Sequence, residues 1–530
     1  MLKLTKGYLA LVLHAHLPYV HHPLQENMLE ERWFFEAVTE TYIPLITAFQ
    51  SLNNEHIDYR VTLSLSPPLL SMFNSPLLQE RYINHLNKSR ELANLELDRT
   101  ASQPDFHYVA QMYKKNLDTA YSVYHDKYQG NLIKAYKDLE NAGGLELITC
   151  AATHGYLPLL NIHNPSVKVQ LQVGAEAFAE NFGHYPKGMW LPECGYYSGL
   201  DYELANLGVK YFFVDSHGIV FASPRPKYGT LAPIKTHSGV AAFARDYESS
   251  KQVWSSSEGY PGDCDYREYY RDIGYDLEHD YVKNYIHPDG IRVNTGFKYH
   301  RITGKTDRKE CYQPDWAKEK AAIHAGNFMF NRQEQIKHYA HVMDLPPIIV
   351  SPYDAELFGH WWYEGPMWLE FLLKKIHYDQ NIVETITPGD YLDRHHNIQI
   401  STPCSSSWGN SGYNDVWLEG SNDWIYRLLH KAGKQMEHVA KQAKGAQGIQ
   451  KRILNQAARE LLLAQSSDWA FIMKTGTMVD YAKRRIILHL DNFNRLLHSL
   501  KEGNVETKWL ETIEKENDIF PKIDYQIYCS

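Results

Sequence analysis

The chain has 530 residues, 44% of them hydrophobic and 13% aromatic, which is enough for a large catalytic core with one or two additions. Lys and Arg number 54 against 63 Asp and Glu, and the net charge of −9 gives no support to a nucleic-acid or other polyanionic partner. The six cysteines (Cys150, Cys194, Cys264, Cys311, Cys404, Cys529) form no C-x-x-C pair, and His14, His16 and Pro18 break the apolar run 8–13 before it reaches signal-peptide or membrane length; a soluble, cytoplasmic protein without a disulfide framework or thiolate zinc site is expected.

In chain order, strands are predicted at residues 7–13, 60–66, 145–150, 187–190, 209–214, 240–245, 292–297 and 347–350. Most are short and apolar, as strands covered on both faces should be. Amphipathic helices fall between them, at 36–50, 166–182 and 332–343 among others. Motif-rich segments end nearly every strand rather than one switch point, which favours a (β/α) barrel over a doubly wound sheet. The interval 66–145 is too long for a βα connection, and its periodicity at 77–97 and 108–141 is helical, so it reads as an insertion over the barrel mouth. Beyond about residue 396 only helical patterns remain, at 422–444, 450–464 and 477–500. The division expected is therefore a barrel domain 1–396, with the insertion at about 70–144, and a C-terminal all-helical domain 397–530.

Two acids stand out by their surroundings. Glu193 lies in Trp190-Leu-Pro-Glu-Cys-Gly-Tyr196 and Asp354 in Ser351-Pro-Tyr-Asp-Ala-Glu-Leu-Phe-Gly-His-Trp-Trp362, both at strand C-terminal ends. Paired carboxyls among indole and phenol rings are the equipment for cleaving glycosidic bonds, because sugars stack on aromatic faces while two acids divide the catalytic roles. Glu356 and Glu364 are competitors for the second role. His14 and His16 share one strand face and suit either a substrate or, with Asp215 near His217, a metal; that second option keeps a metal-dependent deacetylase open. His154 ends the third strand. The Gly- and Ser-rich stretch holding Trp408 and Trp417 is either a stacking surface or a domain-interface plug. Asp468, beside Trp469, reads as capping chemistry or as a polar group reaching the site from the helical domain.

With these segments in order, the chain resembles glycoside hydrolase family 57, and within it the 1,4-α-glucan branching-enzyme group. Five motifs carry the resemblance: His14-Ala-His16-Leu-Pro18; Ala152-Thr-His154-Gly155; Trp190 to Tyr196; Tyr353-Asp354 through Trp362; and Ser407-Trp408-Gly409 through Trp417. The resemblance implies an incomplete seven-stranded (β/α) barrel, TIM-like, with a helical insertion and a C-terminal helical domain. It implies a retaining mechanism without cofactor or metal, in which Glu193 is the nucleophile and Asp354 the acid/base. His16, His154, Trp408, Trp417 and Asp468 match substrate-contact positions, with His14 beside them. Tyr228, in the loop 223–233, matches a tyrosine that shields the intermediate from water, and the segment from Gln252-Val-Trp254 to Asp263 is also similar. The expected partner is an α-glucan. An α-amylase or 4-α-glucanotransferase of the same family, and a non-catalytic glucan binder, are the alternatives.

Overall fold

The computed structural model describes residues 6–255 and 258–529. Nine strands form one sheet: β1 (Gly7–Ala15), β2 (Val61–Leu65), β3 (Leu145–Cys150), β4 (Gly188–Trp190), β5 (Tyr211–Val214), β6 (Ile234–Lys235), β7 (Ala241–Ala244), β8 (Ile348–Asp354) and β9 (Val383–Thr385). Their order is β6-β7-β5-β4-β3-β2-β1-β8, with β9 beside the start of β1, and all neighbours except β6–β7 are parallel. The sheet curls into an incomplete barrel that is open between β7 and β8. Across the gap, the Asp246 amide donates to the Val350 carbonyl at 2.8 Å, and Ser249 receives Ser351 and Tyr353.

Strand periodicity separates two cores. On β1, Tyr8, Ala10 and Val12 join Ile148, Cys150, Trp190, Phe213, Phe243 and Val350 inside the barrel, while Leu9, Leu11 and Leu13 face the surrounding helices. All nine residues of β1 are buried, which explains why it reads as an unbroken apolar run. The helix Asn164–Phe182 covers β3 closely, because Gly174 has no side chain to hold it away; a Cβ there would lie 2.3 Å from the Cys150 carbonyl oxygen.

Between β2 and β3 the chain forms the long antiparallel helices Pro76–Thr100 and Pro104–Tyr121, preceded by Pro67–Asn74 and followed by Leu132–Asn141. The C-terminal part comprises Trp424–Gln442, Gly448–Ala464, Ser467–Thr475, Val479–Glu502 and Thr507–Glu516. No helix among the described residues is long and apolar enough to cross a membrane. Two expectations fail. Residues 292–297 form no strand; Asp272 draws the amides of Thr295 and Gly296 into side-chain hydrogen bonds, removing them from any ladder. The helix expected at 332–343 is one end of a longer one, Pro314–Ala340, whose N-terminal half carries too little periodicity to be read.

Gly174→Ala should destabilise the protein by about 1–3 kcal/mol, since its methyl would meet backbone that cannot withdraw. Denaturant unfolding measures this, and a neutral result would mean that the helix and β3 are less tightly packed than described.

Candidate active site

The inward-facing column of each strand continues past its C-terminal end into one cluster. Parity carries His14 from β1, Ser64 and Ser66 from β2, Asp215 from β5, Arg245 from β7 and Asp354 from β8 to the barrel mouth, where His14 and Asp354 are register partners. Two residues reach it by a different route. His154 and Glu193 occupy left-handed backbone conformations, at φ of +56° and +61°, which turn their side chains back over the mouth. Non-glycine residues held there each cost on the order of 1–3 kcal/mol and persist only where neighbours enforce them. The neighbours are C-terminal: Ser467 N–H donates to the His154 carbonyl at 3.1 Å, and Trp408 N–H to that of Glu193 at 3.0 Å.

The Glu193 carboxylate receives the Trp408 indole N–H at 2.8 Å and the Ser467 hydroxyl at 3.2 Å. Burial pushes its pKa up to about 7, partly offset by the Trp408 bond. The Ser467 donation fixes a directional chain behind it. Having given its proton to Glu193, Ser467 must accept from His154 Nδ1 at 2.9 Å; His154 Nε2 must then accept from His14 Nε2 at 3.0 Å, and His14 Nδ1 from the Ser64 hydroxyl at 3.0 Å. Both imidazoles are neutral, their pKa values held well below the ordinary range by burial and by the charge of His16. Four side chains from four parts of the sequence thus hand one hydrogen-bond direction to Glu193.

Asp354 differs. No described side chain or amide donates a hydrogen bond to its carboxyl; burial, then the charges of Glu356 and Glu193, raise its pKa well above the usual range, and Arg245 opposes them. Of two coupled acids, the one without donors keeps the proton. The competitors are engaged elsewhere. Glu356 accepts from the Tyr42 hydroxyl at 2.5 Å and the His16 amide at 3.1 Å, and Glu364, 1% exposed, accepts from Tyr312 and the Arg267 amide.

His16 pairs with Asp468 at 3.1 Å and stacks on His154 at 4.0 Å. Burial opposes charging the imidazole, but Asp468 outweighs it and raises the His16 pKa. Ser466 caps the helix Ser467–Thr475 and also bonds Asp468 at 2.5 Å, so this helix start sits against the barrel mouth.

Several expected contacts are placed otherwise. His14 and His154 are 2% and 3% exposed with both ring nitrogens bonded, which places them behind Glu193 as its hydrogen-bonded support. Trp417 is 1% exposed, stacked on Tyr156 at 4.4 Å beneath Gly409; it is the interface plug. Trp408 is a hydrogen-bond donor to Glu193, packed edge-on to Trp190. Asp215 does not join His14 and His16 as a ligand set; it bonds His217 at 3.2 Å and lies 3.3 Å from Arg245 Nε, and His217 holds the Gly412 carbonyl. Tyr228 is not at the mouth. Its hydroxyl accepts from the Asp344 amide, before β8 begins, and the strand from Ile348 to Asp354 spans about 20 Å. The loop 223–233 lines the open side of the barrel, tied to the segment that follows the barrel by Ser223–Thr402 and Lys227–Gln399 contacts.

Sequence reasoning misses Ser467, Arg245 and Trp254. Arg245 was findable, as a polar residue in phase with an inward strand column. Trp254, 38% exposed and edge-on to Trp408 at 6.2 Å, offers the open aromatic surface expected of Trp417; Ser256 and Ser257 of its segment lie outside the described residues. Ser467 had no local signal, since its role arises from a contact across 274 positions.

A family model described as Glycosyl hydrolase family 57 matches residues 10–346, and one described as 1,4-alpha-glucan branching enzyme, C-terminal, matches residues 428–528. The crystal structure of the alpha-amylase AmyC from Thermotoga maritima is 44% identical, with a TM-score of 0.93 over 99% of both chains. That of the GH57-type branching enzyme from Pyrococcus horikoshii is 31% identical, with a TM-score of 0.89 over 99% of this chain and 97% of the other. A curated 1,4-alpha-glucan branching enzyme of Thermococcus kodakarensis is 32% identical over 99% of this chain and 79% of its own length. A family model spanning most of the barrel and a relative this similar along nearly all of this chain leave one assignment: the chain belongs to glycosyl hydrolase family 57.

Proposed function

We propose that the protein is a 1,4-α-glucan branching enzyme that works by double displacement. The observation that carries the reading is the unlike solvation of two coupled acids at one barrel mouth: Glu193 is held by two donors and Asp354 by none. Glu193 attacks the anomeric carbon of an α-1,4-linked glucan while Asp354 gives its proton to the departing oxygen. Asp354 then takes the proton of an acceptor 6-hydroxyl as that oxygen displaces Glu193, forming an α-1,6 branch. Branching-enzyme relatives along the full chain and the C-terminal model support the transfer reading. The likeness to a protein named an alpha-amylase favours a second reading, in which water takes the acceptor's place. Incubation with amylose decides between them. Transfer yields new reducing ends only after α-1,6-specific debranching, whereas hydrolysis yields them directly.

Glu193→Gln and Asp354→Asn should each lower kcat at least about 100-fold with the fold retained. Near-normal turnover in either folded variant would remove that residue from its role.

The pH profile follows from the two acids. Glu193 must be ionised, so kcat/KM should fall as pH drops through about 7, and it should fall again at high pH where Asp354 loses its proton. Ser467→Ala withdraws one donor from Glu193 and should move the acid limb up by about 1 unit, with KM little changed. Ser467→Thr should restore it. An acid limb that stays in place in Ser467→Ala would show that the hydroxyl does not act on Glu193.

Tyr228→Ala should leave the ratio of branching to hydrolysis within about two-fold of the parent, as expected for a substitution distant from the reacting atoms. A large swing toward hydrolysis would require the loop 223–233 to leave its place along the barrel and cross to the mouth.

A further inference from the structure

We propose that the protein carries a second binding site for α-1,4-glucan, in a cavity on the far side of the helical segment that backs the catalytic centre; the proposal rests on the glucan activity put forward above. The segment is Glu31–Ala37, a π-helical turn Val38–Tyr42 and Ile43–Asn54. Tyr42, fully buried, faces the barrel and donates to Glu356. Glu36, Glu40, Ile43 and Thr47, three or four positions apart, share another face and line a cavity of about 660 Å³. That volume is in the range of small-ligand sites. Neither Glu193 nor Asp354 lines it, and Tyr42 points the other way, so it is distinct from the catalytic centre. π-turns of this kind recur at functional sites.

The lining specifies the ligand's chemistry. Tyr113, Phe297 and Tyr363 present aromatic surface, while acidic and basic side chains around the wall are nearly balanced, which fits a neutral ligand and not a phosphate. Two polar groups on the wall keep hydrogen-bonding capacity. Arg267, with its side chain 1% exposed, bonds Tyr113 through one terminal nitrogen but has no acceptor for Nε among the described residues, and the Glu36 carboxylate has Arg32 as its ion-pair partner at 3.7 Å. A neutral ligand with hydroxyls that both donate and accept, and with apolar faces, is a sugar.

The wall extends into an exposed platform. Tyr269 lines the cavity, and the Trp361 indole, 56% exposed, stacks on it at 4.8 Å and 25°. The Lys298 ammonium lies 5.0 Å from the Tyr269 ring and is itself anchored on the Tyr269 carbonyl and Asn294, so the stack is rigid. Trp361 N–H bonds the Glu356 carbonyl at 3.3 Å, which puts the platform on the loop that leaves Asp354 and on the face where the catalytic site opens. A glucan chain lying over Trp361 and entering the cavity would be held beside the site that acts on its neighbour.

Titration calorimetry of maltoheptaose into the Glu193→Gln enzyme, which binds without turning over, tests this. Two binding events are expected. Adding Glu36→Ala and Trp361→Ala should weaken one of them by at least about ten-fold and spare the other. Thr47→Trp, which fills the cavity from its helical wall, should produce the same selective loss. A single event in Glu193→Gln, or two events that neither change touches, overturns the proposal. Amylose turnover by the parent enzyme tests the activity reading separately: turnover with one binding event sinks only the second site, and two events without turnover sink only the activity.

Discussion

A carboxylate removed from water must be given hydrogen-bond donors, and at Glu193 the barrel has none to give. Strand-end side chains of a parallel barrel point inward and upward, whereas Glu193 sits on a left-handed turn beyond β4, and no strand amide among the described residues donates to its carboxylate. Its donors come from outside the sheet, Trp408 on the segment that climbs the barrel wall and Ser467 at the start of a C-terminal helix. Much of the surrounding architecture serves these two bonds. The Gly155–Ser466 and Tyr196–Ser406 bridges, the Ser467 amide on His154 and the Thr153–Leu462 contact stitch the helical part to the strand ends. Trp417 plugs the joint, and Gln170 reaches across it to Gln465.

The network around Glu193 is closed and the one around Asp354 is open, and that difference separates two acids of similar burial. Behind Glu193, each polar atom from Ser64 to Ser467 has a fixed direction of donation, which makes the chain rigid. Beside Asp354 there are negative neighbours and Arg245 but, among the described residues, no hydrogen-bond donor to its carboxyl. His16 and Asp468 form a charged pair at the edge, beside the Glu193 anion and the neutral acid Asp354.

The fold was legible because its strands obey simple rules. Seven of the eight strands expected are present, and the position of Asp354 at the end of β8 follows from the apolar run before it. The short β6 and β9 carry too few residues for any pattern to show. Within the site, Glu193 and Asp354 stand out by their rigid aromatic surroundings, whereas His16 and Asp468 stand out chiefly by the resemblance; the structure gathers all four at the mouth. What could not be read is which side of a ring faces water: Trp408 and Trp417 sit nine residues apart in the same Gly-rich stretch, yet one donates to Glu193 and the other is core. Tyr228 likewise followed its loop, and the loop follows the barrel's open seam, a tertiary feature with no local trace.

The order in which these parts leave the ribosome then has a chemical meaning. A nascent chain that has emerged only through residue 396 has every strand of the sheet and both acids, but neither Trp408 nor Ser467. Its Glu193 has no donor to stabilise the anion and no neighbour to enforce its strained turn. The reactive carboxylate is therefore armed last, by residues made about 215 and 274 positions after it, so synthesis itself delays chemistry until the molecule is whole.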